Sequence, residues 1–281
     1  MGAAVNRTST DDYAMGRSKT EEERLPLQSA FLEPSTRRLF EVAGIGPGMK
    51  VLDIGSGAGD TAMLAARLVG PHGRVIGVDL NPAIVDTARH RVRAVGYANV
   101  TFVEGDVAET PLDRDFDAIV GRLILIHLPD PVGTLRQLMS HLKPGGIVAF
   151  QELNRLDPMK AYPTTALTEK VTGWIYQALS LAVGDVRDDT HLHRILLDAG
   201  LSGPQILVNT PAGCSPAFLE ECTTWGVETL RSLLPVVVRG GLATEEEVSI
   251  DTLPERWRDE LLAQRSMLRA GGFTEAWARR A

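Results

Sequence analysis

Two carboxylates and three glycines stand together in the run Val51-Leu52-Asp53-Ile54-Gly55-Ser56-Gly57-Ala58-Gly59-Asp60. A third carboxylate, Asp79, lies about twenty residues beyond the last glycine, in Arg74-Val75-Ile76-Gly77-Val78-Asp79-Leu80. Glycines at this spacing let a backbone turn tightly and approach a ligand with no Cβ in the way. A carboxylate ending the next strand can accept hydrogen bonds from both hydroxyls of a ribose. Together they describe a nucleoside-binding site. The elements that must position these residues are legible around them. Lys50 to Ile54 reads as a short, branched, buried strand, Asp60 to Val69 as a helix, and Arg74 to Asp79 as a second strand.

The same residues discriminate among nucleoside ligands. A dinucleotide fingerprint needs Gly or Ala where this chain has Asp60, so that helix and strand pack closely. A carboxylate at a helix N-terminus suits the macrodipole but repels a pyrophosphate seeking the same amides. With Asp53 inside the strand, the turn suits a ligand that carries positive charge, such as an ammonium or a sulfonium. The bland alternative for Asp60 is a residue that caps the helix or bonds the loop amides.

Over roughly Met49 to Leu153 the chain resembles the class I S-adenosylmethionine-dependent methyltransferases, small-molecule type, similar to those of quinone biosynthesis and natural-product pathways. In that family VLDIGSGAG is the first motif, which implies cofactor contacts from Asp53, Gly55, Ser56, Gly57 and Gly59. Asp79, with Leu80 beside it, is similar to the ribose-binding strand end. Gly105-Asp106-Val107 resembles the segment that binds adenine, after a strand starting near Val100. Phe116 to Val120 looks like the fourth strand, and Leu142-Lys143-Pro144-Gly145-Gly146 like the turn before the fifth, Ile147 to Leu153. The resemblance implies an α/β fold: a Rossmann-like, seven-stranded, mostly parallel sheet with helices on both faces. It further implies S-adenosyl-L-methionine as cofactor and a small-molecule methyl acceptor as partner.

Composition bounds the partners. With 281 residues, 44% hydrophobic and 23% charged, the chain can bury one substantial core and a smaller appendage. A net charge of −7 argues against nucleic acid, which needs clustered Lys and Arg on one face. The run Arg89-His90-Arg91-Val92-Arg93 reads as a solvated helix face. Gly121-Arg122-Leu123-Ile124 stands where base-methylating relatives carry Asn or Asp followed by Pro-Pro and an aromatic residue. No segment is apolar enough to span a membrane, and Met1 to Arg24 lacks a signal-peptide pattern, so a cytoplasmic location is expected. Cys214 and Cys222 match neither a zinc nor a redox spacing, and are expected to be reduced. No metal is expected: metal-dependent catechol-type relatives place an Asp at the fourth strand end, and His191-x-His193 points its two rings apart at a helix start.

Three segments compete to shape the acceptor site. Tyr13 precedes a helix start capped by Ser18, a segment that similar enzymes fold over the cofactor. Asp157 to Asp188 carries a helix with Leu167, Val171, Trp174, Ile175, Ala178 and Leu179 on one side, and Trp174 and Tyr176 are candidate substrate-pocket residues. Pro211 to Gly272 intervenes between strands expected at Gln205 to Asn209 and Phe273 to Ala278. Helices expected at Pro216 to Leu234 and Pro254 to Ala270, with Glu245-Glu246-Glu247 starting another, make it a helical lid. The expected division is 1–24 as tail and cap, 25–156 as cofactor core, 157–210 as substrate-side helix and end of the core, 211–272 as lid, and 273–281 as last strand.

Methyl transfer is an in-line displacement that needs positioning more than protein chemistry. His127, in Ile126-His127-Leu128-Pro129-Asp130-Pro131, is the candidate general base, with a structural loop role as the alternative. Arg122 could grip the methionine carboxylate or an acceptor carboxylate, with a local ion pair as the alternative. O- or C-methylation of a natural product or metabolite is favoured. A catalytically idle cofactor-binding scaffold and a nicotinamide-dependent oxidoreductase are the competing readings. A homodimer stays open.

Overall fold

The computed structural model describes residues 19–154, 157–183 and 192–281, with side chains for all of these except 19–28, 30 and 183. Tyr13, Ser18, His191 and 184–188 therefore lie outside the described residues.

A seven-stranded sheet carries the first half of the chain and its end. Its strands are β1 (Lys50–Ile54), β2 (Arg74–Asp79), β3 (Val100–Glu104), β4 (Phe116–Arg122), β5 (Leu142–Asn154), β7 (Ser202–Asn209) and β10 (Gly272–Arg279), in the order β3-β2-β1-β4-β5-β10-β7. The first five are mutually parallel, and β10 lies antiparallel between β5 and β7. Strand order reverses between β1 and β4, so the glycine turn after β1 opens at the switch point, where such sheets bind ligands.

Helices cover both faces. On one, α1 (Lys19–Ala43), α2 (Asp60–Val69) and α3 (Pro82–Val95) bury Leu39, Phe40, Leu64, Val85 and Ala88 against the strands. On the other, α4 (Pro131–Leu138) and α6 (Leu192–Asp198) bury Leu135, Leu138, Leu192 and Leu196. Local chemistry fixes where α3 starts. Asn81 caps α3 by accepting from the Ala83 N–H at 3.0 Å, and Pro82 follows, where its missing N–H costs nothing.

A third apolar cluster forms a helical layer from α5 (Ala166–Val183), α7 (Pro216–Arg239), α8 (Glu245–Val248) and α9 (Leu253–Ala263), joined by Phe31 and Leu32 of α1. It meets the sheet through Leu123, Leu153 and Phe273, at the carboxyl ends of β4 and β5 and the start of β10.

Three expectations need correction. The helix expected to reach Ala270 stops at Ala263, and Met267–Arg269 forms β9. This strand pairs with β6 (Lys160–Tyr162) and β8 (Ala212–Gly213) in a small antiparallel sheet. That pairing joins segments far apart in the chain, Lys160 to Arg269 and Ala212 to Arg269, which no local periodicity encodes. The helix expected to stop at Leu234 continues through Pro235 to Arg239. Finally, α1 is one helix running across the boundary placed at residue 24, because its later turns are anchored on the core.

Candidate functional site

The site is built on the turn after β1. Gly57 sits at φ 50°, a left-handed conformation, and a Cβ there would meet nothing within 4 Å, so the turn is open on that side. Gly55, at φ 62°, is covered instead: a Cβ would come within 2.4 Å of Ile124. The segment leaving β4 is thereby pressed against the glycine turn. Asp79 ties the turn to the end of β2, since its Oδ2 accepts from the Gly57 N–H at 2.8 Å and its Oδ1 from the Asn81 N–H at 3.0 Å. Burial raises the Asp79 pKa, and those backbone donors oppose the shift. Beside it Leu80 is 50% exposed.

Asp53 is fully buried, and neither carboxylate oxygen has a hydrogen-bond partner among the described residues. Desolvation pushes its pKa well up, against the pull of the nearby Arg122 guanidinium. The Ser56 hydroxyl is buried and unpartnered too. Buried polar groups left unpaired cost about 1–3 kcal/mol each, so a pair beside an open turn marks a place for a ligand. An unpartnered carboxylate fits the ammonium of the expected cofactor.

Asp60 does not behave as a free acid at the turn. Arg91 holds it with two bonds, Nη2 to Oδ1 at 2.6 Å and Nη1 to Oδ2 at 3.0 Å, and also donates to the Ala58 carbonyl at 2.8 Å. The Arg91 charge answers the carboxylate that was expected to repel phosphate. The basic run on α3 is correspondingly more than a solvated face: Arg89 donates to the Phe102 carbonyl at 3.0 Å. Only the packing of α3 beside the start of α2 brings these groups together.

Arg122 ends β4 beneath α1. Its bonds to Thr36 Oγ1 at 3.4 Å and Ser29 Oγ at 3.3 Å are long, and burial lowers its pKa while Asp60 and Asp53 raise it. A polar layer extends from it. Thr36 donates to Gln151 Oε1 at 2.6 Å, and Gln151 Nε2 donates to Ser35 Oγ at 2.7 Å and to Glu275 Oε1 at 2.9 Å. Burial pushes the Glu275 pKa up to about 7. Glu152, one residue on, accepts from the Ile124 and Leu125 N–H groups, both at 3.0 Å, and so fixes the 3-10 turn Leu125–His127. His127 stands half-buried at the end of that turn. Sequence reading missed Ser29, Ser35, Thr36, Gln151, Glu152 and Glu275. The signal available was three acids or amides, Gln151, Glu152 and Glu275, inside otherwise apolar strands.

At the end of β3 the Gly105 N–H donates to the Asp79 carbonyl at 2.9 Å, which sets this segment beside the ribose candidate. Asp106 is exposed and accepts from the Ala108 N–H at 2.9 Å, and Val107 is buried. The ends of β1, β2 and β3 thus bring Asp53, Ser56, Asp79, Leu80 and the 105–107 segment to one edge. Trp174 is packed inside the helical layer, and Tyr176 reaches the backbone at Gly271, where its hydroxyl would lie 3.5 Å from a Cβ. A cavity of about 500 Å³ between β6 and the start of α5, lined by Lys160, Tyr162, Thr168 and Glu169 among others, includes neither. Among the described residues no three His, Cys, Asp or Glu side chains group as a metal site. Cys214 is exposed and Cys222 buried, and burial raises the Cys222 pKa.

Residues 45–200 match the family described as "Methyltransferase domain". The chain is 32% identical over 214 residues to the aklanonic acid methyltransferase DauC of a Streptomyces species, covering 75% of this chain and 93% of that one. It is 30% identical over 166 residues to the ubiquinone/menaquinone biosynthesis C-methyltransferase UbiE of Pseudomonas putida, covering 58% of this chain and 62% of the relative. Among solved structures, a phosphoethanolamine N-methyltransferase 2 of Haemonchus contortus, in complex with phosphomonomethylethanolamine and S-adenosylhomocysteine, shares the fold. Its TM-score is 0.54 at 21% identity, over 88% of this chain and 52% of that one.

Proposed function

Because the chain belongs to the methyltransferase domain family and uses S-adenosylmethionine as methyl donor, we propose that it methylates a small apolar molecule, on oxygen or carbon, beneath its helical layer. The observation that carries this reading is the roof of the site. The helical layer that meets the carboxyl ends of β4 and β5 is built on an apolar, aromatic core, and the chain's net charge is −7. A nucleic-acid acceptor would need the reverse. The natural-product reading draws on the likeness to DauC, an aklanonic acid methyltransferase.

S-adenosylmethionine supplies an electrophilic methyl group on a sulfonium. The residues divide the remaining work. Asp53 would accept from the amino-acid ammonium, with Ser56 beside it, and Asp79 would accept from the ribose hydroxyls. Leu80 and the segment Gly105, Asp106 and Val107 would border the adenine. Gly57 would let the backbone approach the cofactor, while Gly55 and Gly59 would shape the turn, with Ile124 packed over the first and Phe102 over the second. Arg122, a partly buried guanidinium whose bonds to Thr36 and Ser29 are long, would take the methionine carboxylate. His127 would take a proton from a hydroxyl acceptor, if the acceptor carries one. Tyr13 would help close the cofactor site, and Trp174 and Tyr176 would support its acceptor side. The helical layer would act as a lid that excludes water.

The test is calorimetric titration with S-adenosylhomocysteine, with reduced nicotinamide dinucleotide in parallel, followed by turnover on phenols, carboxylates, amines and prenyl compounds. Binding of the first alone with methylation of an apolar member supports the reading. Binding without turnover on any acceptor would favour a cofactor-binding scaffold, and binding of the nicotinamide alone would favour an oxidoreductase.

A further inference from the structure

The aromatic part of the roof contains a buried donor, the Trp225 indole N–H, that has no partner among the described residues. Trp225 of α7 stacks on Phe31 of α1, with ring centroids 5.0 Å apart and planes 16° from parallel, and lies 6.1 Å from the Phe273 ring at 45°. Phe273 opens β10 and pairs with Leu153 of β5, the residue after Glu152. Leu123, which follows Arg122, packs against the same cluster. Trp225 therefore sits in the layer that meets the ends of β4 and β5, on the side where a parallel sheet takes its ligands.

Its indole is 8% exposed, and its Nε1–H is buried with no hydrogen-bond partner among the described residues. Buried indole donors ordinarily find a partner. The same helical layer shows it: the Trp257 Nε1–H donates to Thr168 Oγ1 at 2.8 Å. Among the described residues, the tryptophan deep inside the layer thus has an acceptor and the tryptophan at the contact with the strand ends has none. Two further unpartnered buried groups, Asp53 and Ser56, lie at the neighbouring strand end, where a ligand is expected to complete them.

We propose that Trp225 is a specificity-determining residue: it donates its indole N–H to an oxygen on the acceptor, and the Phe31–Trp225 stack sets the plane of that acceptor's ring. The ligand class that satisfies both is a flat apolar ring compound bearing a hydrogen-bond-accepting oxygen, such as a ring ketone. This rests on the methyltransferase reading of the same site. No covalent step is assigned to Trp225, which acts by selecting and orienting.

The test uses the full chain saturated with S-adenosylhomocysteine, and the two-ring probes 1-tetralone and tetralin, which differ in one carbonyl. The four tryptophans give four indole N–H resonances, and Trp225→Phe assigns one of them by its loss. The expected result is a downfield shift of the Trp225 resonance with 1-tetralone but not with tetralin. A tighter affinity for 1-tetralone, about 2- to 10-fold from one hydrogen bond, is expected to vanish in Trp225→Phe. An unmoved resonance, equal affinity for the two probes, a preference that survives Trp225→Phe, or no binding of either probe would each overturn the proposal. If Trp225→Phe fails to fold, replacing Trp174, Trp257 and Trp277 by Phe one at a time assigns the other three resonances and leaves the fourth to Trp225, so the shift is still read in the unaltered protein. Loss of S-adenosylhomocysteine binding in the unaltered protein would instead sink the underlying reading.

Discussion

At the residue scale, the site separates charges by what answers them. Asp60 is answered by Arg91 and Asp79 by backbone N–H groups, whereas Asp53 is buried without a hydrogen-bond partner among the described residues. The groups at the turn are therefore not interchangeable. Asp79→Ala should weaken S-adenosylhomocysteine binding by about 1.5–3 kcal/mol, the worth of hydrogen bonds to a charged acceptor. Calorimetry on the variant checks this, and unchanged affinity would remove Asp79 from the ribose. His127→Ala should lower turnover by about 10²–10⁴-fold if His127 is the base, with cofactor affinity intact. A parallel loss of cofactor affinity would make its role structural, in keeping with its place on a turn that Glu152 holds.

At the element scale, the exit of β4 is positioned from β5. One oxygen of Glu152 accepts from two consecutive N–H groups and so sets the 3-10 turn that ends at His127, while Ile124 closes over Gly55. Glu152→Ala would strand both donors, one of them on the buried Leu125, at a cost of about 1–3 kcal/mol each. The expected outcome is a lower denaturation midpoint together with a larger loss of kcat than of cofactor affinity. A stability loss without any catalytic loss would separate this turn from the reaction. The small sheet of β6, β9 and β8 does comparable work at the root of the helical layer, by pairing the three segments that lead into and out of it.

At the scale of the whole molecule, α1 joins two of the three apolar clusters and lies over a buried polar layer. Leu39 and Phe40 belong to the sheet core, Phe31 and Leu32 to the helical layer, and Ser35 and Thr36 between them bond Gln151, which in turn bonds Glu275. Glu275 titrates near pH 7 in the folded protein, above its ordinary value of 4.5, because burial disfavours its charged form. The native state thus binds this proton more tightly than the unfolded chain does. Its stability relative to Glu275→Gln should fall as pH rises from about 4.5 to 7, by roughly 3 kcal/mol in all, and be flat above that. Denaturant melts of both proteins between pH 5 and 8 check the sign. A difference that does not change with pH would mean that Glu275 is ionised throughout.

The cofactor half of this protein was legible in its sequence because it is local. Strand, glycine turn, helix and the acid ending the next strand all follow one another within thirty residues, and β1 and α2 fall on the residues expected of them. Short-range rules of backbone freedom, capping and hydrophobic alternation suffice for such a run. Tertiary structure decided what depends on distant partners. It paired Asp60 with Arg91, turned an expected helix end into β9, enclosed Trp174 in the helical layer, and set Gln151 and Glu275 beneath α1. The partners in these contacts are separated by 31 residues at the shortest, Asp60 to Arg91, and by 124 between Gln151 and Glu275. Which acid finds a cation, and which indole finds an acceptor, depends on close packing between elements, and a one-dimensional pattern carries no record of that.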